Sequence, residues 1–267
     1  MKKMKERIGF IGCGHMGSGI LEGLIKKRIV KSSQISIYEP DRSKSRQLRK
    51  RFGIHLRKDA RDLITKTDIV VLAIKPQTLP GLAHELRPWL DRRLLISILA
   101  GTPLAKLRNL LGSHVRLVRA MPNLGATVGE SITVICGRRQ DTRKGRIIFS
   151  GCGQVLELSE RFLDVVTAVS GSGPAYFFAL MEWLAAFAVQ KGLSVKDAQL
   201  LAKQTALAAG KLAAASSETP VRWRMKVTSK GGTTEAAFRV LTRRKAGALF
   251  QAAFTHALKR AKELSRL

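Results

Sequence analysis

The stretch RIGFIGCGHMGSGILEGLI at residues 7–25 restricts the fold more than any other part of the chain. It opens with an apolar run from Ile8 to Ile11, bends at Gly12, and then repeats apolar positions at helical spacing through Ile25. That order predicts a buried strand, a sharp turn and a helix. Gly12, Gly14 and Gly17 fit the spacing G-x-G-x-x-G, and each glycine has its own reason to be there. Gly12 permits the tight turn, Gly14 lets the backbone approach a pyrophosphate, and Gly17 lets the helix lie close on the strand. His15 and Met16 sit inside the same loop.

A second strand is predicted at QISIYEP, residues 34–40. It ends in Glu39, about 20 residues after the glycines, where an acidic side chain is positioned to hold ribose hydroxyls. Arg42 lies just beyond and suits a 2′-phosphate instead. The two residues point to NADH and NADPH respectively, and the choice stays open. Further strand-like runs are DIVVLAIKP (68–76), LLISILAG (94–101), VRLVRAMPN (115–123) and SITVICG (131–137), several of them separated by helical stretches. This alternation predicts an α/β fold with a largely parallel, doubly wound sheet, a Rossmann-type dinucleotide-binding domain. Ligands of such sheets bind beyond the C-terminal strand ends. Ala73 to Gln77 (with Lys75 and Pro76), Ala100–Gly101, and Met121, Pro122 and Asn123 are therefore expected to face the cofactor.

From about residue 159 the strand signals stop. SGSGPAYFFALMEWLAAFAVQKGL (170–193) reads as a small-residue loop, a proline in the first helical turn, and a long apolar helix ending at Gly192. SVKDAQLLAKQTALAAGKLAAAS (194–216) begins with a capping-box-like Ser194 and Asp197 and continues as an alanine-rich helix. Residues 234–265 are also mostly helical, with RRKAG as a bend. The expected organisation is a dinucleotide-binding domain over 1–158 and an all-helical substrate-binding and dimerisation domain over 159–267. Apolar residues occupy more than one face of the helix at 174–191, so it needs cover on several sides, and a second subunit is the expected source.

Composition narrows the remaining classes. With 267 residues, 45% of them hydrophobic, the chain can form one large core or two moderate ones. The formal net charge is +29, but the basic residues are spread over many short groups with no aromatic residues interleaved. The expected result is a solvated surface that attracts anionic ligands, with nucleic-acid binding weak, unselective and lost in moderate salt. Cys13, Cys136 and Cys152 have no paired spacing, which fits a reducing compartment without disulfides or a zinc site. The five histidines have no metal-ligand spacing to a cysteine or another histidine. The basic N-terminus is not followed by a signal-peptide core, and the apolar run at 174–189 carries Glu182 and falls short of the ~20 residues of a spanning helix. A cytoplasmic protein without membrane contact is expected.

The stretch VTSKGGTTEAAF at 227–238 places two glycines and two threonines just before a helix start. Exposed N–H groups and two hydroxyls at such a place suit a small anion. A nicotinamide domain joined to such a turn suits hydride transfer to a small carboxylate, since that chemistry needs little from the protein beyond positioning and charge placement.

The segments IGFIGCGHMGSGI, AIKPQ, SILAG, RAMPN, DVVTAVSGSGPAYFF, GLSVKDAQLLAKQT and VTSKGGTTEAA resemble the pyrroline-5-carboxylate reductase family over nearly the whole chain. The SGSGPAY and GGTT blocks behind a Rossmann half are far more specific than the glycine fingerprint. The resemblance implies reduction of Δ1-pyrroline-5-carboxylate to L-proline by NADPH or NADH, and dimers or larger homo-oligomers joined through the C-terminal helices. It also implies that Ser229, Gly231, Gly232, Thr233 and Thr234 cradle the substrate carboxylate, with the Thr234 hydroxyl directed at the ring nitrogen as the catalytic group. The chain departs from the family pattern at His15, Ala60, Leu124–Gly125, Ala186, Lys230 and Phe238. Two other readings use the same features: a reductase of a related imine or keto acid, and a weakly active paralogue with a binding or regulatory role.

Overall fold

A computed structural model describes residues 3–266 of the chain. They form two compact units, one spanning the chain to Ser172 together with the segment from Leu258 on, the other Gly173–Ala257.

The first unit contains eight strands: β1 (Ile8–Ile11), β2 (Ile35–Tyr38), β3 (His55–Leu56), β4 (Ile69–Leu72), β5 (Leu94–Ser97), β6 (Arg116–Met121), β7 (Ser131–Gly137) and β8 (Gly153–Glu157). They make one sheet in the order β3-β2-β1-β4-β5-β6-β7-β8. The pairs from β3 to β6 are parallel, as the alternation of strands and helices requires. β7 runs antiparallel to β6, because only a short turn through Leu124–Val128 joins them and no crossover helix fits there. Two strands lie outside the sequence expectation, β3 and β8, and both form sheet edges. β3 has two residues, and β8 alternates too weakly between buried and exposed positions to leave a clear pattern.

Among the described residues this unit is completed by helices α1 (His15–Lys26), α2 (Arg42–Phe52), α3 (Ala60–Thr65), α4 (Leu79–Leu86), α5 (Leu104–Leu111), α6 (Arg139–Phe149) and α7 (Leu163–Val166), together with the end of the chain's last helix. The strands bury both faces, so successive residues feed two separate cores. Ile8, Phe10, Ile35, Ile37, Val71 and Ile96 pack with Ile20, Leu21 and Leu24 of α1 and Ile148 and Phe149 of α6. Ile11, Val70, Leu72 and Leu95 pack with Leu63 of α3, Leu86 of α4 and Leu107 of α5. Helices on both faces of a parallel sheet are the doubly wound arrangement.

The first unit extends beyond the boundary expected after residue 158. Arg119 on β6 is 3% exposed and pairs with Glu160 at 3.1 Å and Asp164 at 3.8 Å. Glu160 also accepts the Leu104 N–H at 2.7 Å, and Asp164 accepts the Ser265 hydroxyl at 2.8 Å. A buried guanidinium needs anionic partners, and these come from the segment after the sheet. They bind both residues 160–164 and the end of the last helix to the sheet. The small-residue stretch expected as a loop at 170–173 is instead a wide helical turn over Thr167–Gly171 that leads into the next helix.

The second unit holds α8 (Gly173–Gln190), α9 (Val195–Ala214), α10 (Pro220–Lys226), α11 (Thr233–Arg243) and the start of α12 (Ala246–Arg266). The bend expected at RRKAG lies between α11 and α12, where Lys245 has φ 52°. Ser194 caps α9 by accepting the Asp197 N–H at 3.1 Å. α8 is left largely uncovered, with Phe177, Trp183 and Phe187 all more than half exposed. Glu160–Gln190, which includes α8, is long and apolar enough by composition to cross a membrane.

Candidate active site

The parallel strands end in step. Ile11 lies opposite Tyr38 and Leu72, Leu72 opposite Ser97, and Ser97 opposite Arg119. The residues after each strand therefore line one edge of the sheet. Glu39, Gly12 and Ala73 follow three adjacent strands, with the strand order reversing at β1, and open α/β sheets bind ligands at such a switch point.

Each fingerprint glycine has a distinct environment. Gly12 has φ +78°, and a Cβ there would lie 2.8 Å from the Ala73 carbonyl oxygen. A Cβ on Gly17 would meet the Gly12 oxygen at 3.1 Å and the Ala73 Cβ at 3.2 Å. Around Gly14 no atom lies within 4 Å of that position, so its backbone faces open space. Gly14 also precedes the first turn of α1, which no side chain caps. An open helix N-terminus at the switch point fits a dinucleotide pyrophosphate. His15 is exposed at the helix start, and Met16 packs partly into the core.

Glu39 is tied to this loop. One carboxylate oxygen accepts the Cys13 N–H at 2.8 Å and the other accepts the Asp41 N–H at 3.2 Å. Lys44 lies 3.8 Å away, while Arg42 is exposed and its guanidinium has no hydrogen-bond or ion-pair partner among the described residues. Burial, with the Glu39 carboxylate beside it, pushes the Cys13 thiol up to about 12.

The other expected cofactor residues divide. Ala73 donates its N–H to Ile11 at 2.9 Å and lies against the glycine loop, and Lys75 is exposed just before a short turn through Pro76–Thr78. Ala100 is half-buried, but the space beside Gly101 belongs to Leu264, which a Cβ would meet at 2.8 Å. Gly101 thus serves packing. Pro122 is buried, and Asn123 accepts the Gly125 N–H at 3.1 Å, capping the turn that follows β6. Met121 ends β6, and a Cβ on Gly171 would lie 2.8 Å from its methyl. The SGSG turn therefore reaches the same sheet edge, and the buried hydroxyl of Ser170 has no partner among the described residues. Sequence reasoning assigned Ser170 no role. Its signal was the small-residue block itself.

The second unit carries the glycine–threonine turn. Gly231 has φ +74°, and Gly232 donates its N–H to the Ser229 oxygen at 3.0 Å. Gly232 precedes α11, whose first two residues are Thr233 and Thr234. No side chain caps this end, and neither threonine hydroxyl bonds another described group. Ser229, Lys230 and Thr233 are exposed, and Thr234 is partly so. Gly231 donates its N–H to the Glu235 carboxylate at 2.6 Å, so the turn already holds a carboxylate of the chain itself. Phe238 lies one turn further on, with the Arg224 guanidinium 4.9 Å from its ring. Among the described residues no cluster of side chains could hold a metal ion.

Comparison with known proteins identifies both halves. Residues 160–264 match the family described as pyrroline-5-carboxylate reductase dimerisation, and residues 7–101 match the one described as NADP oxidoreductase, coenzyme F420-dependent. A pyrroline-5-carboxylate reductase of Methanosarcina acetivorans is 37% identical, with 98% of each chain covered. The structure of a pyrroline-5-carboxylate reductase from Coxiella burnetii superposes with a TM-score of 0.91 at 35% identity, over 98% of this chain and 99% of that one. A Plasmodium falciparum pyrroline carboxylate reductase with NADP bound gives 0.88 at 28% identity, over 98% and 99% of the two chains.

Proposed function

The chain belongs to the pyrroline-5-carboxylate reductase family, and on that premise we propose how its residues divide the work. The protein reduces the cyclic imine Δ1-pyrroline-5-carboxylate to L-proline with NADPH or NADH, and it is a homo-oligomer.

When bound, the reduced nicotinamide supplies the hydride. Gly12, Gly14, His15, Met16 and Gly17 hold the pyrophosphate on the N–H groups of the first turn of α1, with Glu39 or Arg42 at the adenosine ribose. Ala73, Lys75, Pro76, Ala100, Met121, Pro122 and Asn123 complete the edge that orients the cofactor, and Gly101 lets Leu264 pack close beside it. Ser229, Gly231, Gly232, Thr233 and Thr234 bind the substrate carboxylate at the start of α11, where unpaired N–H groups favour an anion. The Thr234 hydroxyl donates to the ring nitrogen. Hydride addition to the imine carbon builds charge on that nitrogen, and a donor there lowers the barrier.

The observation that carries this reading is the start of α11, which no side chain caps and where two threonine hydroxyls are free of partners among the described residues. The uncovered apolar α8 is the proposed contact between subunits rather than a membrane span. The same reading puts the protein in the cytoplasm, with no specific nucleic-acid partner. The test follows nicotinamide absorbance with Δ1-pyrroline-5-carboxylate and each cofactor in turn, with proline identified as product. Folded protein that binds a cofactor yet forms no proline would refute the substrate assignment.

A further inference from the structure

We propose that Glu39 and Asp41 together make NADH the preferred cofactor. The inference rests on the dinucleotide reading of the first unit and goes beyond it by choosing between the two nicotinamides.

The end of the second strand is where the adenosine ribose of a bound dinucleotide lies. NADH presents a 2′-hydroxyl there, and NADPH presents a phosphate. Glu39 fills this position with a side chain only 13% exposed. Its two oxygens accept from Cys13 and Asp41, and swinging aside would leave the buried Cys13 N–H unpaired. Each oxygen keeps a lone pair that a ribose hydroxyl can use. A phosphate meets the same carboxylate as a like charge.

A phosphate could instead be held by the N–H groups that begin α2. Those are occupied. One Asp41 oxygen accepts both the Ser43 N–H at 2.9 Å and the Lys44 N–H at 3.1 Å. Two carboxylates therefore stand where the extra phosphate would go. The opposing charges are weaker. Lys44 faces Glu39 itself, and Arg42 is a solvated side chain whose field is screened by salt. The partly buried, hydrogen-bonded charge of Glu39 outweighs the solvated charge of Arg42, and Asp41, though exposed, is held by the two N–H groups it caps.

The experiment is a pair of equilibrium titrations of the full chain with NADH and NADPH, read by nicotinamide fluorescence, on the wild-type protein and three variants. Wild type is expected to bind NADH at least about tenfold more tightly, an effect of one like-charge contact. Glu39→Gln keeps an acceptor for Cys13, and Asp41→Ser keeps a helix cap, so both preserve the loop. Each is expected to narrow the ratio, and Glu39→Gln combined with Asp41→Ser to reverse it. NADPH binding to wild type as tight as NADH binding overturns the proposal, as does a ratio that none of the three variants moves. If neither cofactor binds, the dinucleotide reading falls and this inference falls with it. If NADH binds preferentially but no proline forms, the preference stands and the substrate assignment alone is lost.

Discussion

The carboxylate of Glu235 accepts the N–H of Gly231 across one turn, at 2.6 Å. It thereby occupies one of the groups assigned to the substrate carboxylate. Arg239, 3.9 Å from Glu235, keeps the charge partly balanced. The substrate must displace this side chain or share the turn with it.

Replacing Glu235 by Gln removes the competing charge while keeping an acceptor for the turn. The Michaelis constant for the imine is expected to fall by about threefold or more, a fraction of a charged hydrogen bond, with little change in turnover. A constant that rises instead would make Glu235 a support of the turn and not a competitor.

Thr234 stands at the second position of α11 with its hydroxyl unpaired among the described residues. Thr234→Ala is expected to lower turnover by about a hundredfold while cofactor affinity stays within about twofold, as for loss of a proton donor. Thr234→Ser should restore most of the rate. Equal turnover in wild type and Thr234→Ala, measured at saturating cofactor, would remove this residue from the mechanism.

Cys13 lies in the cofactor loop, buried and with its thiol pushed up to about 12. A thiolate is the reactive form, so at neutral pH the thiol is inert. Iodoacetamide is expected to leave activity and cofactor binding intact in the folded protein, with Cys13 unmodified by peptide mass spectrometry. Rapid labelling of Cys13 under native conditions would show the loop opening to solvent.

Arg7 holds Asp68 by side-chain hydrogen bonds at 3.2 and 3.3 Å and by its own N–H at 2.8 Å, joining the segments that lead into β1 and β4. The side-chain bond is the main cause that lowers the Asp68 pKa. A depressed carboxylate stabilises the fold above its unfolded pKa, near 3.9, and loses that contribution as pH falls through the lower folded value. Arg7→Gln should therefore lower the melting temperature more at about pH 7 than at about pH 3. Equal shifts at the two values would mean that the pair adds nothing electrostatic.

The fingerprint of Gly12, Gly14 and Gly17 and the alternating strands and helices were legible along the chain because each rests on local geometry. A positive φ at Gly12, an apolar strand of a few residues and a helical repeat all express themselves within about a dozen residues. The family blocks extended that reading to the turn at Gly231–Gly232 and to the reaction. Tertiary structure alone decided which polar groups meet. Glu39 reaching Cys13, Arg119 gathering Glu160 and Asp164, and Leu264 returning to Gly101 join residues distant in sequence. The strands β3 and β8 exist because a neighbouring strand offers its edge, not because their own residues demand it. Position after the second strand likewise presented Arg42 and Glu39 as opposite signals. Burial and hydrogen bonding separate them, because a charge held by backbone N–H groups keeps its place and one in water does not.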